Sequence, residues 1–188
     1  MPLPQLDLRF PRAWQAQVLT ARPLILPPRH FTYPGQAQEV ERGALEIFVR
    51  PDTTEAEPFL ATCALGFRDA AVPTGLWSTP HPDVLCAVAG GYAYLIDASD
   101  PEQFTMIEYR PVLQVLPVLE SKLLLFVGHN AILAWAQRGE AWRTGKLSDE
   151  GLSITGIEGD VLRGAGWRMM ADKETPFSLN LRNGQLMQ

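Results

Sequence analysis

The stretch Lys122 to Trp135, KLLLFVGHNAILAW, restricts the fold more than any other part of the chain. Two apolar runs, Leu123–Val127 and Ala131–Trp135, flank Gly128-His129-Asn130. Each run has the length of a β-strand and is too short for a helix that buries itself. Gly and Asn tolerate positive φ, so the residues between the runs read as a hairpin loop. A fully apolar hairpin at a sheet edge would invite association. Its place is therefore the centre of a sheet, with Leu125, Phe126, Ile132 and Trp135 in the core.

The downstream chain keeps the same rhythm. Val84–Ala89 and Tyr92–Ala98 are joined by Gly90-Gly91, a strong short-range hairpin signal. Gln103–Tyr109 follows, then Val112–Leu119, which Pro117 demotes to an edge or bulged strand. Ala141–Leu147, Leu152–Ile157, Val161–Trp167 and Phe177–Leu181 complete the series, with turns at Glu158-Gly159-Asp160 and Asn183-Gly184. Upstream, Ala44–Val49 and Phe59–Phe67 have strand composition. No window of ~11 residues keeps i, i+3, i+4 apolar spacing without a Gly or Pro break. A single helical turn at Arg12–Leu19 competes with a strand there. The expectation is an all-β fold, an antiparallel meander in a two-sheet, sandwich-like body, because parallel pairing would need crossover helices that the chain lacks.

Residues 1–38 differ. Pro2, Pro4, Pro11, Pro23, Pro27, Pro28 and Pro34 each remove a backbone donor and fix φ, so regular pairing cannot run far. Leu6–Phe10 and Gln17–Leu19 could each add a short strand. The segment reads as a Pro-rich arm packed on the body, with one edge strand and with Pro23–Pro28 extended across a surface. Residues 39–188 read as a single all-β domain.

The composition excludes several functions. The net charge is −5 and Lys and Arg are scattered singly, which argues against nucleic acid and against an anionic membrane surface. The apolar runs fall short of the ~20 residues that a membrane span requires. Cys63 and Cys86 each lie within an apolar run and belong to no metal-binding spacing. Buried free thiols in a reducing, cytoplasmic setting are expected, with a bridge between neighbouring strands as the alternative. No secretory leader pattern is visible in MPLPQLDLRF.

YAYLIDASDP, AILAWAQRGEAWRTGKL and FSLNLRNGQL share a pattern of strand, tight turn and strand, the last two with Thr144-Gly145-Lys146 and Asn183-Gly184-Gln185. Over residues 84–188 this resembles the blade repeats of β-propellers, including the quinoprotein type. The resemblance implies a small or partial β-propeller as the alternative architecture. There is no Trp-Asp dipeptide and no fixed period of ~40 residues, and nothing of quinone binding carries over.

Chemistry-bearing residues are sparse. His30, His81 and His129 share no local motif, and spacings such as His-Glu-x-x-His are absent. The carboxylate pairs Asp97/Asp100, Asp149/Glu150 and Glu158/Asp160 fall at strand ends or turns, where Asp bonds to nearby backbone. No nucleophile elbow or phosphate-cradling loop is present, and Gly164 and Gly166 suit a bent or bulged strand. Trp135 and Trp142 are expected to pack together across the sheet. The loop from Arg68 to Pro82 is stiff, apolar and aromatic, and loops carry binding residues. Trp77 and His81 in that loop, with Trp167 beside Gly166, are thus the candidate ligand- or partner-binding residues. No catalytic residue, metal or cofactor is expected. The reading is a small soluble β-domain, not an enzyme, that binds a protein partner or small ligand through its loops; a homo-oligomer is compatible with it. The alternative is a hydrolase or isomerase using His81 and an acidic residue.

Overall fold

The computed structural model describes residues 4–35 and 42–187, so residues 1–3 and 36–38 of the expected arm lie outside the described residues. The fold is all-β, built of several mostly antiparallel sheets with no closed barrel. The chain divides into two compact units, Met1–Pro111 and Val112–Gln188. Among the described residues, no helix is long and apolar enough to cross a membrane.

The first unit holds two sheets. Strands β1 (Gln5–Asp7), β6 (Gly75–Ser78), β7 (Val84–Ala89), β8 (Tyr92–Asp97) and β9 (Phe104–Met106) form one, in the order β1-β6-β7-β8-β9. Strands β2 (Trp14–Leu19), β3 (His30–Tyr33), β4 (Ala44–Pro51) and β5 (Phe59–Ala64) form the other, in the order β2-β4-β5-β3. Period-two alternation decides what each face buries. Leu45, Ile47 and Val49 of β4 join Phe59, Ala61 and Cys63 of β5 in one core with Leu76, Leu85, Ala87, Tyr94 and Ile96 of the other sheet. Two sheets facing across a shared apolar core make a sandwich.

The second unit repeats the arrangement with other numbers of strands. Strands β10 (Gln114–Val118), β11 (Leu123–Val127), β12 (Ile132–Ala136) and β13 (Gly139–Arg143) pair in sequence, and β14 (Glu150–Glu158), β15 (Val161–Arg168) and β16 (Lys173–Asn180) form the second sheet. Leu123, Leu125, Val127 and Ile132 share a core with Leu162, Leu179 and Leu181. The apolar hairpin is thus β11 and β12 at the centre of its sheet, and β10, with Pro117, is at the edge. The segments resembling propeller blades fall in three different sheets, of five, four and three strands.

Four local expectations are corrected. The loop over 68–82 contains a strand, β6, which runs parallel to β1 on one side and antiparallel to β7 on the other. The N-terminal arm supplies three strands, β1, β2 and β3, all at sheet edges. A strand at an edge needs only one neighbour, so the flanking prolines do no harm. Two of the three, β1 and β3, pair in parallel. Their crossovers consist of strands of the same unit, so no helix is required. Trp135 is half-buried because a bulge between Ala134 and Trp135 re-aims it, and Trp142 enters the core instead. Trp142 lies opposite Ala134 and Trp135 opposite Glu140, so the two indoles do not form a cross-strand pair.

Candidate functional site

Trp77 is the first residue to place. It sits in β6 between two partner strands with only 2% of its surface exposed, so it is a core residue and cannot serve as a stacking platform. His81 lies in the turn after β6. Its Nδ1 accepts the Asp83 N–H at 3.2 Å, and its own N–H donates to Thr79 Oγ1 at 3.2 Å. The nearest Asp83 carboxylate oxygen is 4.0 Å from Nδ1, beyond hydrogen-bond reach. The imidazole braces a turn, and its Nδ1 lone pair is occupied by backbone.

Trp167 is half-buried in the middle strand of its sheet, opposite Glu150 on one side and Glu174 on the other. Its carbonyl accepts the Asp149 N–H at 2.8 Å. The glycines before it are there for close packing. A Cβ on Gly164 would lie 2.6 Å from the Ser153 carbonyl oxygen, and one on Gly166 would lie 2.6 Å from that of Leu147. The bulges fall in the partner strand β14. Trp77 is thus buried beside the half-buried turn residue His81, and Trp167 belongs to the other unit.

The carboxylates are also committed locally. Asp97 Oδ1 accepts the Ser99 hydroxyl at 2.6 Å and the Ser99 and Asp100 N–H groups. Lys146 and then the Met169 N–H hold the Asp149 carboxyl below its usual range. Glu158 pairs with Arg163 and Asp160 with Arg182. Among the described residues no group of His, Cys, Asp and Glu is placed to hold a metal ion. No family model matches the chain, and no curated protein matches it.

What the structure does assemble lies in the connection from β2 to β3. These strands occupy opposite edges of their sheet, so residues 20–29 must cross it. Glu46 alternates with the core residues Leu45 and Ile47 and so marks the outer face. Arg22 Nε stands 3.9 Å from Glu46 Oε1, which places the crossing on that face. Glu46 is itself buried, as is Thr62, whose hydroxyl donates to Glu46 Oε2 at 2.6 Å. Arg22 Nη2 also lies 3.4 Å from His30 Nε2.

The far end of the crossing is held by hydrogen bonds. Arg29 Nη1 donates to the Glu57 carbonyl at 2.7 Å, its own carbonyl accepts the Leu60 N–H at 3.0 Å, and its guanidinium lies 5.7 Å from the Phe31 ring centre. Between these two anchored arginines runs Pro-Leu-Ile-Leu-Pro-Pro, residues 23–28. The prolines restrict its backbone, and Leu24 and Ile25 stand almost wholly in solvent, Ile25 with 89% of its surface exposed. Sequence reasoning recognised the extended run across a surface. The outward direction of its aliphatic side chains had no local signal, since any apolar pair between prolines could equally have packed down.

Depressions also lie on the same unit. One of about 550 Å³ is lined by Leu8, Arg12, Trp14, Gln15, Ala16 and Asp52. Arg12 lies 5.8 Å from the Trp14 ring centre, and the buried Trp14 indole N–H has no acceptor among the described residues. Another, of about 480 Å³, is more apolar and is lined by Leu65, Phe67, Ala70, Val72 and Thr74 with Arg68 and Asp69 beside them.

Proposed function

We propose that this chain is a non-catalytic binding module and that a protein partner docks on the strap Pro23–Pro28. The observation that carries the reading is the pair Leu24 and Ile25, held in solvent between two anchored arginines. Covering each of them would gain about 1.5–3 kcal/mol. Because prolines already stiffen the strap, little conformational entropy is lost when it docks. His81 and the carboxylates Asp97, Asp149, Glu158 and Asp160 are spent on turns and surface ion pairs. Cys63 and Cys86 are buried and unpaired, as a reducing compartment leaves thiols, so the cytoplasm is the proposed location.

The test compares the parent chain with a Leu24→Ser/Ile25→Ser variant, both immobilised and exposed to the same cell extract. Circular dichroism first establishes that both are folded. A protein retained by the parent and lost from the variant supports the reading. Identical retention on both refutes it.

A further inference from the structure

We propose that the depression beside Trp14 binds a small zwitterion of the free α-amino acid class. Leu8, Arg12, Trp14, Gln15, Ala16 and Asp52 line it, and its volume of about 550 Å³ is within the range of about 300–1,000 Å³ typical of ligand sites. The observation that points to a ligand is the Trp14 indole. The residue is wholly buried, and its N–H has no acceptor among the described residues. A buried donor without an acceptor is a standing cost to the fold, and an oxygen brought by a ligand removes it.

Arg12 supplies the cation. Its guanidinium lies 5.8 Å from the Trp14 ring centre, and Nη1 donates to the Leu8 carbonyl at 3.0 Å. No carboxylate pairs with Arg12 among the described residues, so its remaining N–H groups are available. A guanidinium and an indole N–H lining one depression suit a carboxylate, whose two oxygens can accept from both. Arg12 is exposed and lies over the ring, so its movement toward the carboxylate uncovers the edge of the indole.

The opposite charge lines the same depression. The Asp52 N–H donates to the Ala13 carbonyl at 2.9 Å, which continues the β2–β4 ladder one step beyond Trp14 and Pro51. Asp52 therefore stands across the ladder from the residue next to Arg12. Its Oδ1 accepts the Gln15 amide at 3.4 Å, and no cation pairs with it among the described residues. An unpaired cation and an unpaired anion in one depression match a ligand that carries both charges. Such a ligand has no net charge for the chain's −5 to repel. Leu8 and Ala16 give the walls apolar surface for an aliphatic side chain.

Nuclear magnetic resonance of the full chain, titrated with L-leucine, tests this through the indole N–H signals of its five tryptophans. The Trp14 signal, assigned through bonds, should move and saturate, with a midpoint below about 10 mM. Arg12→Gln and Asp52→Asn lie at exposed positions, and circular dichroism checks the fold of each variant. Each should weaken binding at least about tenfold. Isocaproate lacks the ammonium and isopentylamine lacks the carboxylate; each should bind at least about tenfold more weakly than L-leucine. A Trp14 signal that does not respond to L-leucine overturns the site. Isocaproate that binds as tightly as L-leucine, or an affinity that survives Asp52→Asn, overturns the zwitterion. An affinity that survives Arg12→Gln removes the cation from the site and overturns the proposal equally. None of these outcomes involves Leu24 or Ile25, so the reading of the strap stands or falls separately.

Discussion

Thr62→Val is the substitution whose cost the structure ranks most sharply. Thr62 and Glu46 are both buried, and the hydroxyl donates to the carboxylate at 2.6 Å, the length of a charge-assisted bond. Bonds to a charged partner contribute about 1.5–3 kcal/mol, and a buried carboxylate that loses one keeps its desolvation cost. The other contact of Glu46 is Arg22 at 3.9 Å, with 43% of the arginine side chain exposed. Exposed pairs of that kind contribute about 0.2–1 kcal/mol. Thr62→Val, which preserves shape and β-branching, should therefore cost about 2 kcal/mol, and Arg22→Gln under about 1 kcal/mol. Because the chain has two units, a single global midpoint would mix their stabilities, and native-state amide exchange in β4 and β5 is the better measure. About 2 kcal/mol is roughly a thirtyfold faster exchange of the most protected amides there. Thr62→Ser keeps the hydroxyl and should recover most of the protection. If Arg22→Gln proves the costlier change, the arginine and not the threonine holds the carboxylate, and the assignment is wrong.

Other outcomes can be stated more briefly. Phe126→Ala should destabilise by about 3–5 kcal/mol, since the ring is fully buried in β11; a loss under about 1 kcal/mol in chemical denaturation would put the hairpin at the surface. Gly75→Ala should cost about 1–3 kcal/mol and expose the Gln5 amide to exchange, because the new Cβ would lie 2.1 Å from the Gln5 carbonyl oxygen; unchanged protection of Gln5 would argue against the parallel β1–β6 pair. Burial pushes the pKa of Cys63, Cys86 and Tyr33 up, so the folded chain resists their ionisation, with Glu46 adding to the effect on Cys63. The fold then holds protons that the unfolded chain releases, so the unfolded state binds fewer protons and stability falls as pH rises past about 8.5. Neither thiol should react with a thiol reagent at pH 8 until denaturant is added, and a stability that rises from pH 8 to pH 10 would refute the assignment.

Much of the fold was legible because its signals are local. Leu123–Val127, Gly90-Gly91 and Pro117 each state their own structure, through a run length, a pair of positive φ angles and a missing donor. What could not be read was pairing at a distance. Gly75–Ser78 looks like loop because four residues between a proline and a turn hold no pattern of their own. It is a strand only because Gln5–Asp7 arrives some seventy residues earlier in the chain to lie beside it. The parallel pairs were missed for the same reason: a crossover between parallel strands is usually a helix but need only be long enough, and strands can supply it. Here the connections run through strands that already have partners.

The same distinction separates the candidate residues from the strap. Trp77, His81 and Trp167 were singled out for residue type, and type says nothing of orientation. A tryptophan flanked by prolines and glycines is equally at home as a platform or as a plug, and with 2% of its surface exposed Trp77 is packed as a plug. Leu24 and Ile25 gave the opposite problem. Their composition resembles core, yet the sheet beneath them already has an occupied outer face, where Glu46 meets Thr62 and Arg22. That face also carries Phe48 and the buried Leu60, so the polar pair sits within a partly apolar surface. Glu46 meets the crossing at its near end, through Arg22. Replacing Glu46 with Leu would remove the carboxylate that Arg22 faces and should loosen that end of the strap, an outcome that exchange or protease sensitivity of residues 22–29 can read.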